Sequence, residues 1–566
     1  MGGNATRYFD RRARGLVRLL VSPVIYVVTI SPANVQGQSI LTVSAGATQS
    51  NVVVGADITA NVFGTANAFT INGQGVLTVA SGGVTSASFI SPLGTETVFS
   101  GGVAFVSHVG GTLVVSSGGL ASGTFVSSAG QQYVSSGGVA SGTQVSLGEN
   151  IVWGGLAIAT WVSSGGLETL LSGGIANGTT IASGGAQRLL ATGVASGTTI
   201  ANGGLQMVFS GGIASSSTIM SSGQLVISGG GSALAVNQQS GAVLVADTTA
   251  GNVSGTNAAG AFSISGGVAS GVLLENGGLF TVLAGGTASG SIIRSFGTQI
   301  VSSGGLAIDT QDLFTQIVSS GGVASASHVL EFAQQSILAG GLAIDSIVDT
   351  NARENVSSGG VASHTTLSGG SVQSVFGGGQ AVDTVVSSGG SQLVSSGAGI
   401  TGTVVLDGGT FSIASGGRGT GLVLSAGAAF SGTTDDVLVS GINASGAFSI
   451  SGGVASGVVL QNGGALTVGV GGIASNTTID EFGNGVVTSG GLAIGTIDLY
   501  TLNVSRGGAT SGTVVSSFAQ ELVGAGGQTS GSVVSDFGQQ VVSSVLGMHV
   551  RDSPSARTKG AGHKAH

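Results

Sequence analysis

The sequence predicts an all-β fold: a right-handed parallel β-helix, or solenoid, of 17–19-residue coils with three short strands per coil. The first observation behind this is a recurring glycine pair. Its first members, Gly82, Gly101, Gly118, Gly137, Gly154 and Gly173, are separated by 19, 17, 19, 17 and 19 residues. The beat returns at Gly266, Gly285 and Gly304 and again at Gly452, Gly471 and Gly490. A fixed period near twenty residues marks a stack of coils. Second, with the first Gly as position zero, apolar residues recur at positions two, eight and sixteen: Leu120, Val126 and Val134; Leu156, Val162 and Leu170; Ile175, Ile181 and Leu189. Third, Ser-Gly-Gly punctuation separates these strokes and leaves no 3.6-residue stripe, which excludes helix.

A single coil cannot bury its apolar positions, but stacked coils can, because each strand pairs with its counterpart about 4.8 Å away. The inward side chains then form columns. Position fourteen is often Gln (Gln132, Gln187, Gln206, Gln299, Gln335, Gln540), so an amide ladder from coil to coil is expected. Roughly 26 coils at that spacing predict a rod about 125 Å long. The crossover rule supplies the right hand.

Residues 1–39 differ from the rest. Arg7, Arg11, Arg12, Arg14 and Arg18 precede the apolar run Leu19–Ile30, which is too short to span a membrane. The pattern reads as a signal peptide, hence export to the cell surface, outer membrane or extracellular space. The β-helical body follows over residues 40–545, in blocks of about 40–246, 247–432 and 433–545. The motif AFSISGGVASGV stands at Ala261–Val272 and again at Ala447–Val458, an offset of 186 that also relates Gly304 to Gly490 and Phe332 to Phe518. Ala47–Ala66, Ser232–Gly260 and Ser425–Gly446 break the beat and are read as loops or irregular coils within one continuous rod. Residues 546–566 form a basic tail. At Val545 the expected glycine pair fails, and a broken reading frame is predicted there.

Charge narrows the function classes. Only 7% of the 566 residues are charged, against about a quarter in ordinary domains. Residues 1–39 carry net +4, residues 40–545 net −16 and residues 546–566 net +3, which sum to −9. The body has no basic face for nucleic acid. It has no Cys, hence no disulfides or thiol-ligated metal.

The unit (V/I)-S-S-G-G-x-A-S-G-T-x-V is clearest at Ser116–Val126, Ser135–Val145 and Ser172–Ile181. It resembles the AIDA-type repeats of self-associating bacterial autotransporter adhesins over about residues 70–545. The resemblance implies a signal peptide, a β-helical passenger and a C-terminal outer-membrane barrel, though no barrel-like strands follow residue 545. It also implies cell–cell aggregation, biofilm formation or host adhesion. Its implied partners are identical rods on neighbouring cells, or surface glycans and receptors. A protein heptosyltransferase is a further implied partner, with O-heptose on hydroxyls such as Ser116, Ser117, Ser135 and Ser136.

Parallel β-helices also carry polysaccharide lyases and hydrolases, so a carbohydrate-active enzyme is the alternative. It would need clustered carboxylates. The repeat register stacks position five as Asp309, Ala326, Asp345, His364 and Asp383. Asp345, His364 and Asp383 then form a polar column, about 4.8 Å per step, suited to a proton relay or weak cation site. Position five is Gly or Ala in many coils, which places the column at a turn facing water. Trp153 and Trp161, eight residues apart, suit neighbouring faces of one coil, where they pack or stack on sugar rings. No catalytic, cofactor or metal site is expected, and a non-enzymatic adhesin is the preferred reading.

Overall fold

The computed structural model describes residues 39–543, together with the backbone pairings of Val17–Arg18 and His549–Asp552. The expected signal peptide, most of the basic tail and the predicted frame break lie outside the described residues. The described chain is strand and turn, with no helix. It falls into two units, residues 1–267 and 268–566.

In the first unit, the coil opening at Gly118 carries strands Leu120–Ser122, Phe125–Val126 and Gln131–Ser135. The next carries Val139–Ser141, Gln144–Ser146 and Glu149–Trp153. They pair parallel and in register: Leu120 with Val139, Phe125 with Gln144, Gln132 with Asn150. The second unit repeats the arrangement. Val323–Ser325, His328–Val329 and Gln334–Ile337 pair with Leu342–Ile344, Ile347–Val348 and Arg353–Val356. Each unit is therefore a parallel β-solenoid with three strands per coil. In these regular coils the strands pair with the coils above and below, which short isolated strands cannot achieve.

Which side chains point inward follows from the two-residue period of a strand. Positions eight and sixteen are core, as expected: Val126, Val134, Ile181 and Leu189 are buried. Position two is not. Leu120 and Leu156 are only half-buried and Ile175 is exposed, whereas Ala121, Ala157 and Ala176 beside them are buried. The cause is the second glycine. Gly119 already faces inward, so alternation sends Leu120 out and Ala121 in. An ideal Cβ on Gly119 would lie 2.5 Å from the Val98 carbonyl oxygen of the coil below. The pair thus has two reasons: its first member, Gly118, needs φ +73°, and its second needs an absent side chain.

The three irregular stretches behave differently. Ala47–Ala66 is a regular coil rather than a loop. Thr48–Ser50, Val53–Val54 and Ile58–Val62 pair parallel with their neighbours, and Asn51 and Asp57 take the left-handed turns that glycine takes elsewhere. The other two are irregular as expected, and for a reason the sequence did not disclose. In the first unit, Ser232–Gln238 pairs with a register shift between Ala233 and Val236, and Val253–Asn257 turns back antiparallel onto Gly260–Ser265. In the second unit, Leu438–Asn443 turns back onto Gly446–Ser451 in the same way. Asn257 Oδ1 accepts from the Ala259 amide at 2.8 Å, and Asn443 Oδ1 from the Ser445 amide at 2.9 Å. The Asn side chain supplies a local turn and the following Gly260 or Gly446 its positive φ.

Candidate functional site

The expected amide ladder is present inside the coils except at Gln132, which lies under Asn150 and whose Nε2 finds no partner. In the first unit Gln206 Nε2 donates to Gln187 Oε1 at 2.7 Å, and Gln187 Nε2 donates to Glu168 Oε2 at 2.7 Å. In the second, Gln335 donates to Gln316 at 2.6 Å and Gln316 to Gln299 at 2.9 Å. Hydroxyls at position six add to the ladder: Thr198 and Ser217 donate to Gln187 and Gln206. A ladder of this kind satisfies polar groups that the core could not otherwise hold.

Sequence reasoning missed the carboxylates in this interior. Glu96, Glu168, Glu354 and Glu521 occupy position fourteen, the Gln position, and are buried. That shared position was the available signal. Glu354 accepts from Gln373 Nε2 at 2.6 Å and from Thr365 Oγ1 at 3.0 Å. Burial nevertheless pushes its carboxyl up to about 7, and that of Glu96 likewise. Asp312 and Asp498, 186 residues apart, stand at position eight of 17-residue coils. Their Oδ1 atoms accept from the backbone amides of Phe314 at 3.0 Å and Tyr500 at 3.2 Å, closing the shortened turns. Burial raises both to about 7, and each leaves Oδ2 without a hydrogen-bond partner.

The structure brings the expected polar column together on the outside. Asp345, His364 and Asp383 all sit at left-handed turns, φ +56°, +56° and +52°. His364 Nδ1 lies 3.9 Å from Asp345 Oδ1, and Nε2 lies 3.7 Å from Asp383 Oδ2. Their side chains are 52–62% exposed, so water screens the contacts. Asp309 holds the same turn conformation two coils earlier.

The outward faces are hydroxyl- and aromatic-bearing. Ser117 and Ser136 are exposed at the glycine turns, while Ser116 and Ser135 are half-buried. Ser122 and Ser141 stack in register on the first strands, as do Ser270 and Ser289 in the second unit. On the second strands of the first unit, Phe89, His108 and Phe125 form a column with ring centroids 6.4 and 5.0 Å apart. Gln144 and then Trp161 continue it. Trp153 ends a third strand instead, so the two tryptophans occupy different faces of successive coils, 58% and 49% exposed.

The described fold is thus a solenoid built from hydroxyl-rich repeats around a sealed core. Three stretches of it match one protein family, described as adhesin of bacterial autotransporter system, probable stalk: residues 254–311, 358–409 and 440–497. Those three stretches are similar to AIDA-type stalk repeats. Among solved structures the chain is similar to one titled "Crystal structure of TibC-catalyzed hyper-glycosylated TibA55-350 fragment", at 25% identity over 69% of this chain and 96% of that one, with a TM-score of 0.16. No curated protein matches it.

Proposed function

We propose that the chain is a non-enzymatic passenger of an autotransporter adhesin, exported to the cell surface, where it mediates cell–cell aggregation, biofilm formation or attachment. The observation that carries this reading is the family match of three stretches to an adhesin stalk. Physical support comes from the way hydroxyls recur outside at every coil. Each hydrogen bond a serine column makes to a partner contributes about 1 kcal/mol or less net. Many in register supply avidity. The buried carboxylates point into the core, away from any substrate, and the Asp345–His364–Asp383 column is read as a solvated turn.

Ser117 and Ser136, exposed beside the glycine turns, are the hydroxyls best placed to receive O-heptose from a glycosyltransferase, with Ser116 and Ser135 less open. An intact mass equal to that of the bare peptide, for protein from its natural host, would contradict the modification.

Residues 40–544 displayed on a heterologous outer-membrane anchor test the function. The displaying cells are expected to settle or attach faster than cells carrying the anchor alone. Equal settling and equal attachment would refute the adhesin reading.

A further inference from the structure

The turn between the second and third strands closes through one or two residues at positive φ, the last of them just before the turn's end. Several coils of the second unit use glycine there: Gly277 at +88°, Gly389 at +79° and Gly463 at +87°. Others place phenylalanine at the same point. Phe296, Phe332, Phe482, Phe518 and Phe537 have φ between +61° and +69° and are 56–80% exposed. The left-handed region disfavours a bulky L residue, and an exposed ring gains no burial in return. Neither backbone nor core calls for phenylalanine there.

The rings are also arranged. In the intervening 17-residue coils Phe314 and Tyr500 take the equivalent corner, so Phe296, Phe314 and Phe332 lie on three consecutive coils. Phe482, Tyr500, Phe518 and Phe537 lie on four, the first three of them at the same 186-residue offset. Ring centroids are 5.0 Å apart for Phe296–Phe314, 5.3 Å for Phe482–Tyr500 and 5.5 Å for Phe518–Phe537, the last pair within 7° of parallel. Hydrogen-bonding groups border the longer run. Glu481 and Asp536 immediately precede their phenylalanines and are exposed, and Gln520 and Gln539 follow two residues later, also exposed. The turns 480–483, 499–501, 516–519 and 535–538 contain no Lys or Arg.

We propose that the corner formed by Phe482, Tyr500, Phe518 and Phe537 binds an extended polysaccharide of glucosamine units lying along the coils. The rings form two pairs, Phe482–Tyr500 and Phe518–Phe537, and the solvent-facing surface of each pair offers apolar area to the C–H faces of pyranoses lying along the coils. The carboxylates of Glu481 and Asp536 meet the ammonium groups, which also favour the ring faces electrostatically. Gln520 and Gln539 supply donors and acceptors for hydroxyls. The same carboxylates oppose an anionic glycan. They also oppose a second copy docked ladder to ladder, where like charges would face each other. The shorter run is a built-in comparison, because Arg294 stands two residues before Phe296, while Glu331 immediately precedes Phe332. It therefore binds the cationic chain more weakly. The proposal names the ligand of the adhesin described above and rests on that reading.

The test is titration of the full chain with the glucosamine hexamer, the N-acetylglucosamine hexamer and cellohexaose. The expected order of affinity places the glucosamine hexamer first. Phe518→Gly with Phe537→Gly suits the left-handed turn, so the variant folds, and it is expected to weaken that binding at least tenfold. Glu481→Gln with Asp536→Asn is expected to weaken the glucosamine hexamer severalfold and leave cellohexaose unchanged. No binding of the glucosamine hexamer by the native chain, or equal binding by the glycine variant, overturns the proposal. Self-association of the native chain that the glycine variant loses, without sugar binding, assigns the ladder to a second copy instead and equally overturns it. Native displayed cells that still settle in any of these cases leave the adhesin reading standing, so the two failures are distinguishable.

Discussion

Replacing Glu354 by Gln probes the interior ladder where its charge is most costly. Gln335 already donates its amide to Gln316, so its carbonyl is what lies beside Glu354 in the next coil. An ionised Glu354 places negative charge against that oxygen in a dry core. Burial raises its carboxyl from 4.5 to about 7. The folded chain therefore holds a proton between those pH values that the unfolded chain releases. Its contribution to stability is full below about pH 4.5, falls as pH rises, and is lost above about pH 7. A rise from 4.5 to about 7 corresponds to about 3 kcal/mol. Glu354→Gln abolishes this dependence. It keeps an acceptor for Gln373 and adds a donor aimed at Gln335. The variant is expected to match the native chain at pH 4.5 and exceed it by up to about 3 kcal/mol at pH 8. Hydrogen exchange of the Arg353–Val356 amides at both pH values, corrected for intrinsic rates, reads this locally. A few hundredfold slower opening of the variant at pH 8 is expected from that free energy. Native opening that does not change between pH 5 and 8, or a variant less protected at pH 8, would refute the reasoning.

Two further outcomes follow from the geometry. Gly119→Ala must push its new methyl against the Val98 carbonyl, displacing one coil from the next, and is expected to destabilise by about 1–3 kcal/mol, read as faster amide exchange in residues 98–121. A neutral result would mean that the turn is looser than it looks. Asp345→Ala with His364→Ala is expected to leave cell settling and thermal unfolding unchanged, because both side chains are exposed. Appearance in the native chain of a glycan-cleaving activity that this double variant lacks would instead make the column catalytic.

Much of the architecture was legible because a solenoid converts sequence period directly into space. Position eight of one coil must lie over position eight of the next, so the 19-residue beat predicted the register of Phe125 with Gln144 and the stacking of Gln187 on Gln206. The same logic placed Asp345, His364 and Asp383 side by side at an exposed turn. Three things needed the tertiary structure. Hydrophobicity pointed Leu120 inward, yet the strand alternation set by Gly119 turns Ala121 in instead, because only one residue of each neighbouring pair can face the core. Antiparallel hairpins at Val253–Ser265 and Leu438–Ser451 look in sequence like a lost beat, since the return strand pairs within its own coil. The aromatic corner was invisible for a different reason. Phe296, Phe332, Phe482, Phe518 and Phe537 are scattered singly along the chain, and a lone phenylalanine reads as core. Only the positive φ and the open solvent around each ring show that the fold spends backbone strain to hold them outside, one above another.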